Sequence, residues 1–149
     1  MKALNRIFAL SAMALAATLS LPAYHAHAED PAATELSTSE ADDFIGLWKI
    51  TSEIMGREFI VFLNVADVEG KLGATLDMEG NPEPRAFESM AKTENGIMLD
   101  GELLFMGSFK VVINMTLEFE DENSLIGVLK NPGGFFESPL VGEPATKEE

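Results

Sequence analysis

The 149-residue chain contains no cysteine, which excludes disulfides, thiol nucleophiles and thiolate-bound metals together. Histidine and tyrosine are almost as scarce: Tyr24, His25 and His27 are the whole supply, and all lie near the N-terminus. Ahead of them, Lys2 and Arg6 form a positive start and the stretch from Ile7 to Leu21 carries no charge. Pro22 ends that stretch, and Ala26-His27-Ala28 is an A-x-A cleavage site followed by Glu29 and Asp30. The uncharged stretch is shorter than the roughly 20 residues that a membrane-spanning helix requires. No twin arginine precedes it, and no cysteine is there for lipid attachment. Residues 1–28 therefore read as a signal peptide of the general secretory type. The expected location is periplasmic or secreted, with no membrane insertion after cleavage.

Loss of that segment leaves a chain without His, Cys or Tyr. Histidine-based triads, zinc sites of the usual ligand sets and haem held by His or Cys are thereby excluded. Gly-x-Ser-x-Gly, a glycine-rich phosphate loop and EF-hand spacing are also missing. Basic residues are few, 10 Lys and Arg against 25 Asp and Glu, for a formal charge of −15. Lys2 and Arg6 leave with the signal, so the exported chain is more acidic still. Nucleic acid and an anionic membrane surface need a basic footprint, so neither is expected as a partner. Solubility explains such a charge, and a basic partner protein is the sharper alternative. Most carboxylates fall in turns or at polar alternation positions, which marks a solvated face and not the paired acids of a glycosidase. No catalytic residue, metal site or cofactor is expected, and the chain is read as a non-enzyme.

What is present is a repeated period of two. About 120 residues suffice for one domain, and without disulfides a single hydrophobic core must hold it. Residues 29–43 are polar and acidic, a flexible lead-in ending in a short helical turn capped by Ser39 with Asp42. Residues 142–149 read as a flexible tail, which leaves 44–141 for the folded domain. From Ser108 to Glu120, Phe109, Val111, Ile113, Met115, Leu117 and Phe119 alternate with mostly polar partners, the pattern of a strand with one buried face. Leu72, Ala74, Leu76 and Met78 repeat it, while Phe59 to Val65 is apolar on both faces. Met55-Gly56, Glu69-Gly70, Asn95-Gly96, Met106-Gly107 and Glu122-Asn123 suit tight hairpin turns. Two prolines in Glu79 to Pro84 preclude a regular ladder there. Strands are expected over 47–55, 57–67, 71–78, 85–93, 97–105, 108–120, 124–130 and 134–141. The fold class is all-β: a single antiparallel up-and-down meander of about eight strands, which best avoids exposed edges by closing into a lipocalin-like barrel. A two-sheet sandwich is the runner-up.

The segment Phe44-Ile45-Gly46-Leu47-Trp48-Lys49-Ile50 resembles the opening of the calycin group, the lipocalins, fatty-acid-binding proteins and avidins. In those families a short helical turn leads into a Gly-x-Trp at the start of the first strand, and the Trp packs over one end of the barrel. Gly46 and Trp48 match that motif. A second lipocalin motif of Thr-Asp-Tyr type is missing, and the last arginine, Arg85, comes too early to stack on the Trp. The helical pair of fatty-acid-binding proteins is also missing, because Met55-Gly56 turns directly into Arg57-Glu58. Consecutive hairpins suit the avidin plan, although the lack of Tyr argues against an aromatic biotin pocket.

Seven residues are candidates for ligand contact. The resemblance gives Trp48. Ser52 and Ser89 stand at alternation positions expected to face inward among apolar neighbours. Ile113 and Met115 lie on the inward face of the longest strand. Arg57 and Arg85, the only arginines beyond the signal, could hold an anionic headgroup. The first functional reading is an exported small barrel that binds a small apolar or amphiphilic ligand. The alternative is a periplasmic protein-interaction module, an inhibitor or accessory subunit, with a packed barrel and no ligand. The triplet Asn114-Met115-Thr116 matches a glycosylation acceptor but lies within a strand.

The intact mass of exported protein is expected to correspond to a chain beginning at Glu29. A mass that retains residues 1–28 would remove the extracytoplasmic assignment.

Overall fold

The period-two pattern is realised as nine antiparallel strands in a computed structural model, which describes residues 31–79, 83–105 and 108–146. The expected signal segment, the Met106-Gly107 turn and part of the expected tail lie outside the described residues. The strands are β1 (Gly46–Ile54), β2 (Arg57–Val68), β3 (Lys71–Met78), β4 (Arg85–Ala86), β5 (Ser89–Lys92), β6 (Gly96–Phe105), β7 (Phe109–Asp121), β8 (Ser124–Lys130) and β9 (Glu137–Pro144). They form one sheet in the order β4-β3-β2-β1-β9-β8-β7-β6-β5. The meander is therefore up-and-down throughout, except that β1 pairs with β9, from Trp48 opposite Pro144 to Ser52 opposite Leu140. The sheet curls strongly into a half-barrel. Among the described residues no helix is long and apolar enough to cross a membrane.

Hairpin chemistry sets the two ends. At one end lie the start of β1, the Glu69-Gly70 turn, the β5–β6 turn and the β7–β8 turn. At the other lie the Met55-Gly56 turn, the β3–β4 connection, the β6–β7 connection and the loop 131–136. Met55 and Glu69 both adopt positive φ, 53° and 55°, ahead of a glycine that does the same.

Alternation delivers the core. Ile113, Met115 and Leu117 on β7 belong to one buried cluster with Ile97 and Leu99 of β6, Leu125 of β8 and Leu63 of β2. Phe109 departs from the expected inward row. It stands in the last β6–β7 pair and is 70% exposed, because the concave face ends before it does. Tight curl at β7 demands glycine on both sides. A Cβ at Gly127 would lie 1.7 Å from the Thr116 carbonyl oxygen, and one at Gly96 would lie 1.8 Å from that of Leu117.

Three boundaries differ from the sequence expectation. The strand expected over 85–93 divides into β4 and β5 at Phe87-Glu88. The Phe87 N–H donates to Ala74 O of β3 and the Glu88 N–H to Asp100 O of β6, each at 2.9 Å. The buried Phe87 ring covers Gly101, where even a Cβ would come within 2.9 Å of it. The last strand begins at Glu137 and runs through Pro144, because β1 offers it partners as far as Trp48. The lead-in expected to be flexible is ordered from Thr34. Thr34 donates to Leu72 O and Leu72 to Leu36 O, each at 2.8 Å, which lays this segment along the free edge of β3 and buries Leu36. Its first turn, a 3-10 helix over Thr38–Glu40, is capped by Glu40 accepting from the Ser37 N–H at 3.1 Å, and the second, over Asp42–Phe44, has Ala41 at its N-cap with no side-chain bond, not the expected Ser39 with Asp42.

The outward row also holds a surprise at Asn114, which sequence alternation marks as a solvent position. It is 6% exposed, and its Nδ2 donates to Asp100 Oδ1 at 2.7 Å. An Asn114→Asp change, harmless on the sequence reading, would set two carboxylates against each other. Asn114→Asp is expected to cost about 1–3 kcal/mol at neutral pH. One carboxyl of the pair would then titrate above its unfolded value. Stability should therefore be recovered below the unfolded carboxylate pKa and lost as pH rises through the folded one. Urea unfolding of the variant across pH measures this, and a pH-independent loss would contradict it.

Candidate functional site

A ligand-binding barrel needs space inside, and this interior is filled. Ile50, Ser52 and Ile54 of β1, Phe59 and Val61 of β2 and Met78 of β3 converge with Leu129 and Phe136 around a residual cavity of about 20 Å³. That is room for one water, whereas ligand pockets begin near about 300 Å³. The Ser52 hydroxyl that faces this cavity donates to Pro139 O at 2.9 Å, so the backbone already satisfies it.

At the tryptophan end, three aromatic rings close the core. The second 3-10 turn, Asp42–Phe44, swings Phe44 under the sheet, and the Trp48 Nε1–H donates to the Phe44 carbonyl at 2.8 Å. Phe119 lies 4.6 Å from Phe44 and 5.8 Å from Trp48, centroid to centroid, the latter at an edge-on 71°. Outside this plug is an open bowl of about 490 Å³ lined by Asp43, Phe119, Asp121 and Glu122. The Asn123 N–H, which donates to Asp121 Oδ1 at 2.8 Å, and after it the Ser124 N–H hold the Asp121 carboxyl below the usual carboxylate range. Stability from those bonds is present above the unfolded pKa and lost as pH falls through the folded one. Among the described residues no group of three or more acidic side chains is arranged to hold a metal.

The seven candidates do not meet in one site. Trp48 is buried in the aromatic plug, and Ile113 and Met115 are core with no exposure. Ser52 faces the small cavity. Arg57 opens β2 on an exposed rim at the opposite end, and Arg85 lies half-buried on β4 opposite Leu76. Ser89 faces outward, contrary to the inward position expected. It shares a row with Asp100 and Asn114, while Met90 beside it takes the buried position. The interruption at Phe87-Glu88 separates two registers and resets which residue points in. Ser89 and Lys92 do have a Ser-x-x-Lys spacing, but on a strand residues three apart point to opposite faces, so they form no dyad.

The end away from the tryptophan exposes apolar residues that the sequence reading did not offer as functional, with Phe109 expected in the inward row and Met55 at a turn. Met55 is 92% exposed at the β1–β2 turn, Phe109 opens β7, and Phe135 is 85% exposed in the β8–β9 loop. That loop is tightly built around Asn131. Its Nδ2 donates to Val112 O at 2.8 Å, its carbonyl accepts from Gly134 N–H at 2.9 Å, and its Oδ1 accepts from Phe135 N–H at 3.4 Å. The usable signal was Met55-Gly56 itself, a bulky apolar residue at a turn position that suits Asn or Gly.

No protein-family model matches the chain, and neither a curated protein nor a solved structure shows significant similarity to it.

Trp48 emission is expected to be blue-shifted and poorly quenched by iodide. Phe44→Ala should cost about 3–5 kcal/mol and make Trp48 quenchable, since Phe119, whose ring rests edge-on against the indole, loses the ring it packs on. Free quenching in the unaltered protein would contradict the plug.

Proposed function

We propose that the protein is an exported, calycin-like closed barrel that works through its outside, as an extracytoplasmic protein-interaction module such as an inhibitor or accessory subunit. The observation that carries this reading is the interior cavity of about 20 Å³, too small for a metabolite or lipid. Closure is supported by the Phe87-Glu88 step, whose consecutive N–H groups bond to β3 and β6, neighbours of the two terminal strands of the sheet order. One short segment thereby serves both edges, which would leave neither free for further strands. Export is supported by the pattern of residues 1–28. The small-ligand reading gains no support from the packing of the described residues.

Native mass spectrometry of protein purified from its own cellular compartment is expected to give the bare polypeptide mass. A stoichiometric small molecule would overturn the proposal. Ile113→Ala should cost roughly 2–5 kcal/mol, as in solid core, without creating affinity for an apolar dye.

A further inference from the structure

We propose that the rim formed by the Met55-Gly56 turn, the start of β7 and the loop 131–136 is the docking surface, and that its occupant is a protein with an apolar recess bordered by charged groups. This rests on the interaction-module reading and assigns it a place. In the sheet order β2-β1-β9-β8-β7 the Met55-Gly56 turn, the loop 131–136 and the first residue of β7 follow one another around one end. Each presents one large apolar side chain to solvent: Met55, Phe109 and Phe135.

The backbone sets Met55 apart, because a large apolar side chain stands there at a turn position that suits a small or polar one. Met55 holds φ 53°, a conformation that its Cβ disfavours and that Asn or Gly adopts easily. At the other end of the molecule the equivalent turn position, φ 55°, is occupied by the polar Glu69. Turn geometry is thus the same at both ends, and only the rim combines it with an exposed thioether. The Asn131 bonds fix the loop that carries Phe135, so its ring is displayed by ordered backbone and little ordering entropy remains to be lost on binding.

Charge selects the class of partner. Arg57, Lys110 and Lys130 stand exposed beside the three tips, in a chain with only 10 basic residues. Glu53, Glu58 and Glu137 are exposed on the same connections. A surface with both signs interleaved matches a partner that fixes its charges one by one, as a folded protein does. An anionic bilayer would attract the three cations and repel the three carboxylates alike.

The test uses the full-length protein in the cell that makes it, with the photo-cross-linker p-benzoylphenylalanine placed in turn at positions 55, 109, 135 and, as control, 69. The expected result is one and the same cross-linked protein from all three rim positions and at least tenfold less from position 69. Arg57→Glu with Lys110→Glu should abolish that product while the unfolding temperature holds. Met55→Asn should weaken it at least tenfold yet leave the unfolding temperature equal or higher, which a purely structural Met55 would not do. Different products at the three positions, or equal capture at position 69, overturn the assignment. Flotation of the purified protein with phosphatidylethanolamine–phosphatidylglycerol vesicles, lost on replacing Phe109 and Phe135 by Ser, would replace the protein partner by a membrane. Capture only from the outer face of β8 and β9, with the cross-linker at position 126 or 141, would overturn the rim while leaving the interaction-module reading intact.

Discussion

The pairing of β1 with β9 is the contact on which the rest depends. Every other long ladder joins strands that follow one another and could form within a hairpin. Only this one spans the length of the domain, and it joins the group β1 to β4 with the group β5 to β9 into one sheet. Its register also sets Trp48 opposite Pro144 and Ser52 opposite Leu140, so the aromatic plug and the hydroxyl bond to Pro139 both follow from it. Without it, each group would be a meander with one apolar face and nothing to cover it.

The same constraint explains why the described side chains leave only a cavity of about 20 Å³ between the strands. A strongly curled sheet brings inward side chains from both groups to its axis, and here almost all of them are large. Leu63, Leu72, Ile97, Leu99, Ile113 and Met115 are essentially without exposure. Where more room was needed the chain uses small residues. Gly142 sits inward, and a Cβ there would lie 2.8 Å from Ile50 Cδ1. Large and small positions thus interlock, and on the proposed interaction-module reading recognition falls to residues that the core cannot cover.

Much of the architecture was legible. Turn pairs and alternation located most of the strands within a residue or two, because β7 and β3 carry one apolar face each and a slip would bury charge. Three features were not. The Phe87-Glu88 step needs both β3 and β6 in place, and nothing local in Arg85 to Lys92 announces a change of partner. The order of Thr34 to Phe44 comes from tertiary pairing with β3, which composition cannot report. Asn114 is buried by its neighbours in the row, Asp100 among them, so its alternation position misleads. Of the candidate site, the sequence nominated residues suited to a pocket. The exposed tips are recognisable only once the sheet has used up its apolar positions and Met55, Phe109 and Phe135 remain outside.

A ladder between the first and last strands also has a kinetic meaning. Ribosomes deliver β1 well before β9, and the pairing that unites the sheet cannot form until the intervening strands have emerged. A sheet that waits on one such distant pairing closes later than its hairpins form. For a polypeptide that the proposed export route must carry as an extended chain, late closure keeps the precursor threadable. The fold would thus supply its own delay, completing itself only after the C-terminal strand has crossed.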